Sequence, residues 1–204
     1  MRSAAEFAVA AGLLTLIPGP DTLLTVRTAI AAGRASALAA VLGICLALLG
    51  WGLAAGLGLA AALAAAPALY ATLRYAGAAY LAYLGLQALI RGARWPEAGA
   101  AAQAPGRPWA SFLRGVLTCA SNPKVGIFYL ALFPQFIAPG GRPVPASLLL
   151  AGIHAAETMA WLTVVAAMAG RLGRILRRRS CRRWADRLSG ATFLAFAARV
   201  AAGG

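Results

Sequence analysis

Six apolar runs, divided by short polar or proline-rich punctuation, occupy most of this 204-residue chain. A helix of about 20 apolar residues crosses the hydrocarbon core of a bilayer. The chain is therefore expected to fold as an all-α integral membrane protein with six transmembrane helices. Span 1 covers 4–26 and is followed by a basic turn from Arg27 to Arg34. Span 2 covers 35–66, long enough that it must tilt or be trimmed at its ends. Span 3 covers 67–90, span 4 covers 111–137, span 5 covers 145–170, and span 6 is a shorter run at 188–202. The sequence from Pro139 to Pro143 reads as a tight turn between spans 4 and 5.

Composition agrees with that partition. Apolar residues make up 61% of the chain and charged residues 12%, whereas soluble domains sit nearer half and a quarter. A net charge of +14 in a soluble protein would suggest nucleic acid. Here the arginines fall mainly in the connections, which is how a membrane protein sets its orientation. No nucleic-acid partner is expected. Cys45, Cys119 and Cys181 have no metal-binding or disulfide spacing and read as small apolar fillers. The first apolar run resembles a signal peptide superficially, but it contains Glu6 and leads into Pro18-Gly19-Pro20, so it is read as the first span.

The connections after spans 1, 3 and 5 hold Arg27, Arg34, Arg91, Arg94, Arg107 and the basic stretch 171–187. The connection after span 2 has no Lys or Arg, the one after span 4 has Arg142, and the N-terminus has Arg2. The positive-inside rule places the first group in the cytoplasm and both termini outside. Trp95, Trp109 and Trp184 lie beside the cytoplasmic ends, where interfacial anchors belong. The basic run 177–183 reads as a topology anchor, with an anionic-lipid site as the alternative.

Two spans are interrupted at matching places. Shifting the chain by 103 residues lays Gly12-Leu13-Leu14-Thr15 on Gly115-Val116-Leu117-Thr118, Pro20 on Pro123, and Asp21 on Lys124. Proline removes a helical hydrogen bond and leaves a carbonyl needing another partner. A charge inside the membrane is costly and marks function by default. One polytopic domain, 1–204, is thus expected to divide into repeats 1–90 and 111–204 joined by a cytoplasmic linker, 91–110. With three spans each, the repeats lie inverted, helices 1 and 4 are broken, and the site is near the midplane.

The same pairing nominates residues. Asp21, Asn122 and Lys124 are the candidate substrate-binding groups, and Pro18, Gly19, Pro20 and Pro123 shape the breaks. An acid and a base at equivalent positions suit the ammonium and carboxylate of a zwitterion. The alternative is a structural pair in which Asp21 and Lys124 neutralise each other. In span 5, Glu157 lies one helical turn from His154. A carboxyl away from water favours its neutral form, which makes Glu157 the preferred proton carrier; His154 and Asp21 are further candidates. Gly52 and Gly56 have the Gly-x-x-x-Gly spacing of a close helix contact and supply a face for a homodimer.

These marks resemble the LysE/RhtB family of amino-acid exporters over nearly the whole chain. They are Pro18-Gly19-Pro20-Asp21, Gly33-Arg34, the stretch from Tyr75 to Gly85, Phe112 with Gly115, Asn122-Pro123-Lys124, and Phe133-Pro134-Gln135-Phe136. The chain departs from the family at Ala37, where a glycine is common. The resemblance implies a bacterial inner-membrane exporter of amino acids or close derivatives, driven by proton exchange and lacking cofactors. A divalent-metal or other small-solute exporter of the same superfamily is the alternative, but a metal exporter needs a cluster of ligands, and this chain has one histidine and scattered acids. An intramembrane enzyme needs a nucleophile with its base or a metal motif, and neither occurs. A non-transporting scaffold gives no reason for charges beside matched prolines.

Overall fold

The computed structural model describes residues 4–65, 108–137, 142–169 and 179–202, with scattered helical positions between 72 and 90. The expected linker, apart from its last three residues, and the basic stretch 171–178 lie outside the described residues. Among those described there is no strand. The helices are α1 (Ala4–Leu16), α2 (Pro20–Ala65), α3 (Pro108–Ala120), α4 (Pro123–Ile127), α5 (Pro143–Ala167) and α6 (Arg179–Ala201). A π-helical turn (Phe128–Leu132) and a 3-10 turn (Phe133–Phe136) continue directly from α4. Proline opens α2, α3, α4 and α5. At the first helical position its missing N–H costs nothing and its fixed φ suits the helix.

Several boundaries differ from expectation. The basic turn between spans 1 and 2 shrinks to one residue: helix continues through 32 and resumes at 34, and only Gly33 (φ 82, ψ 173) leaves it. That conformation is essentially restricted to glycine. Pro108 begins α3 inside the expected linker, and Pro143 begins α5 where a turn was expected. α6 is already helical at Arg179, well before the apolar run at 188. Arginine ends a membrane span but not a helix, since its helix propensity is high.

The bundle is built inside-out relative to a soluble protein. Leu42, Leu46, Leu49, Leu53 and Leu57 form an exposed stripe along α2, each at least 36% accessible. The opposite face carries Ala37, Ala40, Gly43, Ile44 and Ala47 in the core. Between lipid-embedded helices there is no hydrophobic drive, so small residues that let backbones approach do the packing. A side chain on Gly43 would strike the carbonyl of Phe112, and one on Gly115 the carbonyl of Ala40. α2 and α3 therefore cross in backbone contact. Gly52 meets Ala151, and a Cβ on Gly56 would lie 3.0 Å from Ser147 Oγ. This glycine pair is thus filled by α5 of the same chain and is not the dimer face expected of it.

Aromatic rings fasten α1 to the turns after α4. Phe7 meets Phe133 edge-on at 5.4 Å and Phe136 at 5.3 Å, and Tyr129 stacks on Phe133 at 4.6 Å. Each such pair contributes about 0.5–1.5 kcal/mol beyond area burial. The cluster holds the two interrupted segments side by side, which matters for what lies between them.

Gly33→Ala is expected to destabilise the detergent-solubilised protein by about 1–3 kcal/mol, although nothing lies within 4 Å of its added Cβ. Gly50 also has open space, but it is helical, so Gly50→Ala should be neutral or stabilising by up to about 1 kcal/mol. Thermal unfolding of the two variants checks this, and equal effects would contradict the assigned role of Gly33.

Candidate functional site

The first break begins where α1 loses its hydrogen-bond ladder. Ile17 N still donates to Leu13 O at 3.3 Å. The next donor in the ladder would be residue 18, a proline, so Leu14 O is left without its helical partner. Helix resumes at Pro20, with Leu23 N donating to Gly19 O at 3.0 Å. Asp21 falls in the first turn of α2, where a carboxylate faces the positive end of the helix dipole.

The second break is capped differently. α3 ends with Ser121 N donating to Leu117 O and Asn122 N to Cys119 O. Asn122 then caps α4, its Oδ1 accepting from Lys124 N at 3.1 Å. The other half of the Asn122 amide donates to Asp21 Oδ2 at 2.9 Å. One buried side chain thus caps the second broken helix and binds the acid of the first.

Lys124 completes the junction. Its Nζ donates to Leu14 O and to Ile17 O, both at 3.0 Å. A cation from the second break therefore occupies the carbonyl that proline strips at the first, at the negative end of α1. Gly19 makes room for it, since a Cβ there would lie 3.3 Å from Nζ. The amine goes to backbone carbonyls, and Asp21 Oδ1 is buried with no hydrogen-bond partner. Asp21 and Lys124 are joined through Asn122 and the backbone, not as the direct pair weighed from sequence.

These groups surround a cavity of about 20 Å³ lined by Asp21, Lys124, Thr15, Thr22, His154 and Thr158 among others. Such a volume accommodates about one water molecule. His154 is buried, and its Nδ1 lies 3.2 Å from the Tyr129 hydroxyl. Thr15 and Thr158 share a hydrogen bond at 3.3 Å, and Thr25 Oγ1 donates to Asp21 O at 2.8 Å. Glu157 does not join this set. It packs over Gly12, whose added Cβ would lie 3.8 Å from Glu157 Oε2, and that oxygen is buried without a partner.

The structure thus brings Asp21, Asn122, Lys124 and His154 together, with Pro18, Gly19, Pro20 and Pro123 forming the breaks, and sets Glu157 apart. Sequence reasoning missed Thr15, Thr22, Thr158 and Tyr129. The threonines had a legible signal, since three of them flank the first break or recur four residues after His154. Tyr129 had none, because its partner His154 lies 25 residues away on another helix.

Oppositely charged side chains at two helix breaks, enclosing one cavity in an apolar helical bundle, are the equipment of a membrane translocator and not of an enzyme. The chain belongs to the LysE type translocator family, whose family model matches residues 13–204. It is similar to the threonine efflux protein of Escherichia coli (strain K12), 32% identical over 88% of this chain and 87% of that protein. The threonine efflux protein of Salmonella typhi is 34% identical, covering 88% and 87%. The homoserine/homoserine lactone efflux protein of Salmonella typhimurium is 34% identical, covering 69% and 67%. No solved structure matches.

The Asp21–Asn122 contact is open to a double-mutant cycle on stability. Asn122→Ala also removes a helix cap, at about 0.5–2 kcal/mol, but that loss appears in both legs and cancels. Asp21→Ala with Asn122→Ala should leave a coupling of about 1.5–3 kcal/mol, as for a hydrogen bond to a charged group. Additive losses in thermal unfolding would show that the contact is not formed.

Proposed function

We propose that this chain is a secondary transporter of the cytoplasmic membrane of a bacterium, exporting small zwitterionic amino acids by proton antiport. The observation that carries the proposal is the cavity itself, which pairs an unpartnered, buried Asp21 oxygen with the Lys124 ammonium group. The substrate's α-ammonium would bind Asp21 Oδ1. Its carboxylate would compete with Leu14 O and Ile17 O for Lys124. The relatives' names point to threonine and homoserine as cargo. One of those names includes a lactone, which keeps the ammonium group but has no free carboxylate. The Asp21 contact is therefore the stricter requirement, and Lys124 takes either a carboxylate or a neutral oxygen.

The cavity is too small for an amino acid, so transport requires the breaks to flex. Residues at helix ends absorb such motion readily. In the proposed inverted repeat, the two interrupted helices open alternately to either side of a midplane site. Support comes from an exchange between the halves. Gly12 faces Glu157 of the second half, while Gly115, its counterpart at the 103-residue offset, faces Ala40 of the first. The six-span topology with both termini outside rests on the loop charges. It is supported by Arg34 Nη2 donating to Ala167 O at 3.4 Å, which joins the ends of spans 1 and 5 on one face of the bundle.

Asp21 and Glu157 each keep a buried carboxylate oxygen without a partner, which is where an exported molecule's counter-proton would be received. Asp21 would hold the ammonium and the proton in turn; Glu157 would carry the proton beside the cavity.

Labelled threonine supplied outside inverted vesicles, with an imposed pH gradient acid inside, tests this proposal. Accumulation should require the gradient and should fall at least tenfold in Asp21→Asn and in Lys124→Ala while insertion is retained. Uptake that ignores the gradient refutes antiport, and normal transport by both variants refutes the site.

A further inference from the structure

Tyr129 and His154 have no place in the zwitterion clamp, yet both are almost fully buried and directly bonded. His154 lines the cavity with Asp21 and Lys124, four residues before Thr158 and eight before Leu162, which also line it. His154 therefore shares a wall with both charged groups, and an occupant that opens the cavity between them meets its ring. His154 Nδ1 is engaged by Tyr129, so Nε2 is the ring nitrogen left for an occupant.

The proton on that pair can be placed. The Tyr129 hydroxyl is 3.2 Å from His154 Nδ1, and no other hydrogen-bond partner of that hydroxyl occurs among the described residues. A buried O–H that fails to donate costs about 1–3 kcal/mol. Tyr129 therefore donates to Nδ1, which must present its lone pair. In the neutral ring the proton then sits on Nε2. Packing holds the ring in place: Phe128 meets it at 5.4 Å between centroids and Tyr129 stacks on it at 5.8 Å. Tyr129 in turn is held by Phe133 at 4.6 Å and by Trp51 at 6.4 Å.

We propose that His154 is a specificity-determining residue which donates Nε2–H to an oxygen on the substrate side chain, and that Tyr129 is the positioning residue fixing that tautomer. Resting on the cavity as the amino-acid site, this names the class of side chain admitted: short and bearing a hydroxyl or carbonyl oxygen. Asp21 and Lys124 take the two backbone charges, and the Thr15–Thr158 hydroxyls flank the remaining space. A site that hydrogen-bonds a substrate hydroxyl discriminates strongly against the analogue lacking it, because the buried donor is left unpaired. An apolar pocket of the same shape would discriminate weakly.

The discriminating readout is a ratio. Transport of threonine and of 2-aminobutyrate, which lacks the hydroxyl carbon's oxygen, is measured as kcat/KM in vesicles bearing the wild type, Tyr129→Phe, His154→Gln and His154→Leu. The wild type should favour threonine at least tenfold. Tyr129→Phe and His154→Leu should bring that preference down about tenfold, and His154→Gln, whose amide keeps an N–H donor, should restore part of it. General damage lowers both substrates together and leaves the ratio alone. An unchanged ratio in Tyr129→Phe and His154→Leu overturns the assignment, as does a wild type with no preference. Failure of the wild type to move either amino acid refutes the proposed function instead, so the two failures are distinguishable.

Discussion

The Lys124 ammonium group on the carbonyls of Leu14 and Ile17 is the contact on which the rest of this structure depends. In hydrocarbon, a carbonyl stripped by proline has no water to turn to, and a lone ammonium is costlier still. Each defect is the other's remedy. Pro18 creates the acceptor, Pro123 and Asn122 set the register of the donor, and Gly19 keeps the approach open. The bundle around them is then arranged to hold the two breaks together, through backbone crossings at Gly43 and Gly115 and the aromatic cluster around Phe7.

That arrangement also explains why the junction is suited to change. Asp21 retains one oxygen without a partner, and the Lys124 contacts are to neutral carbonyls that a carboxylate can outcompete. An occupant that takes hold of either charge loosens the pairing between breaks. Binding and helix-break geometry are thereby linked through the same few atoms, which is the physical requirement for a transporter that moves its gates only when loaded.

Much of this was written in the primary sequence, and the exceptions are instructive. The matched offset of Pro20 with Pro123 identified both breaks because proline acts locally, on a hydrogen bond whose position follows from its own number. Helix extents were less legible: Arg179 and Pro108 are helical where polarity suggests a loop, because polarity reports the membrane boundary and not the end of the helix. The Asn122 bridge to Asp21 was foreseeable as membership of a site, not as a bond, since it spans 101 residues. Tyr129 could not be placed at all, because its partner His154 lies 25 residues away on another helix. Glu157 and His154, one turn apart, were read as sharing one helix face, yet His154 lines the cavity while Glu157 packs over Gly12.

In the proposed mechanism Asp21 reads the ammonium group of the cargo. Competition against labelled threonine uptake in inverted vesicles tests it most directly, using unlabelled threonine and 3-hydroxybutyrate, the same molecule without its amino group. Threonine should compete at least tenfold more strongly in the wild type, and that advantage should collapse in the residual uptake of Asp21→Asn. Equal competition by the two compounds in the wild type would contradict the account.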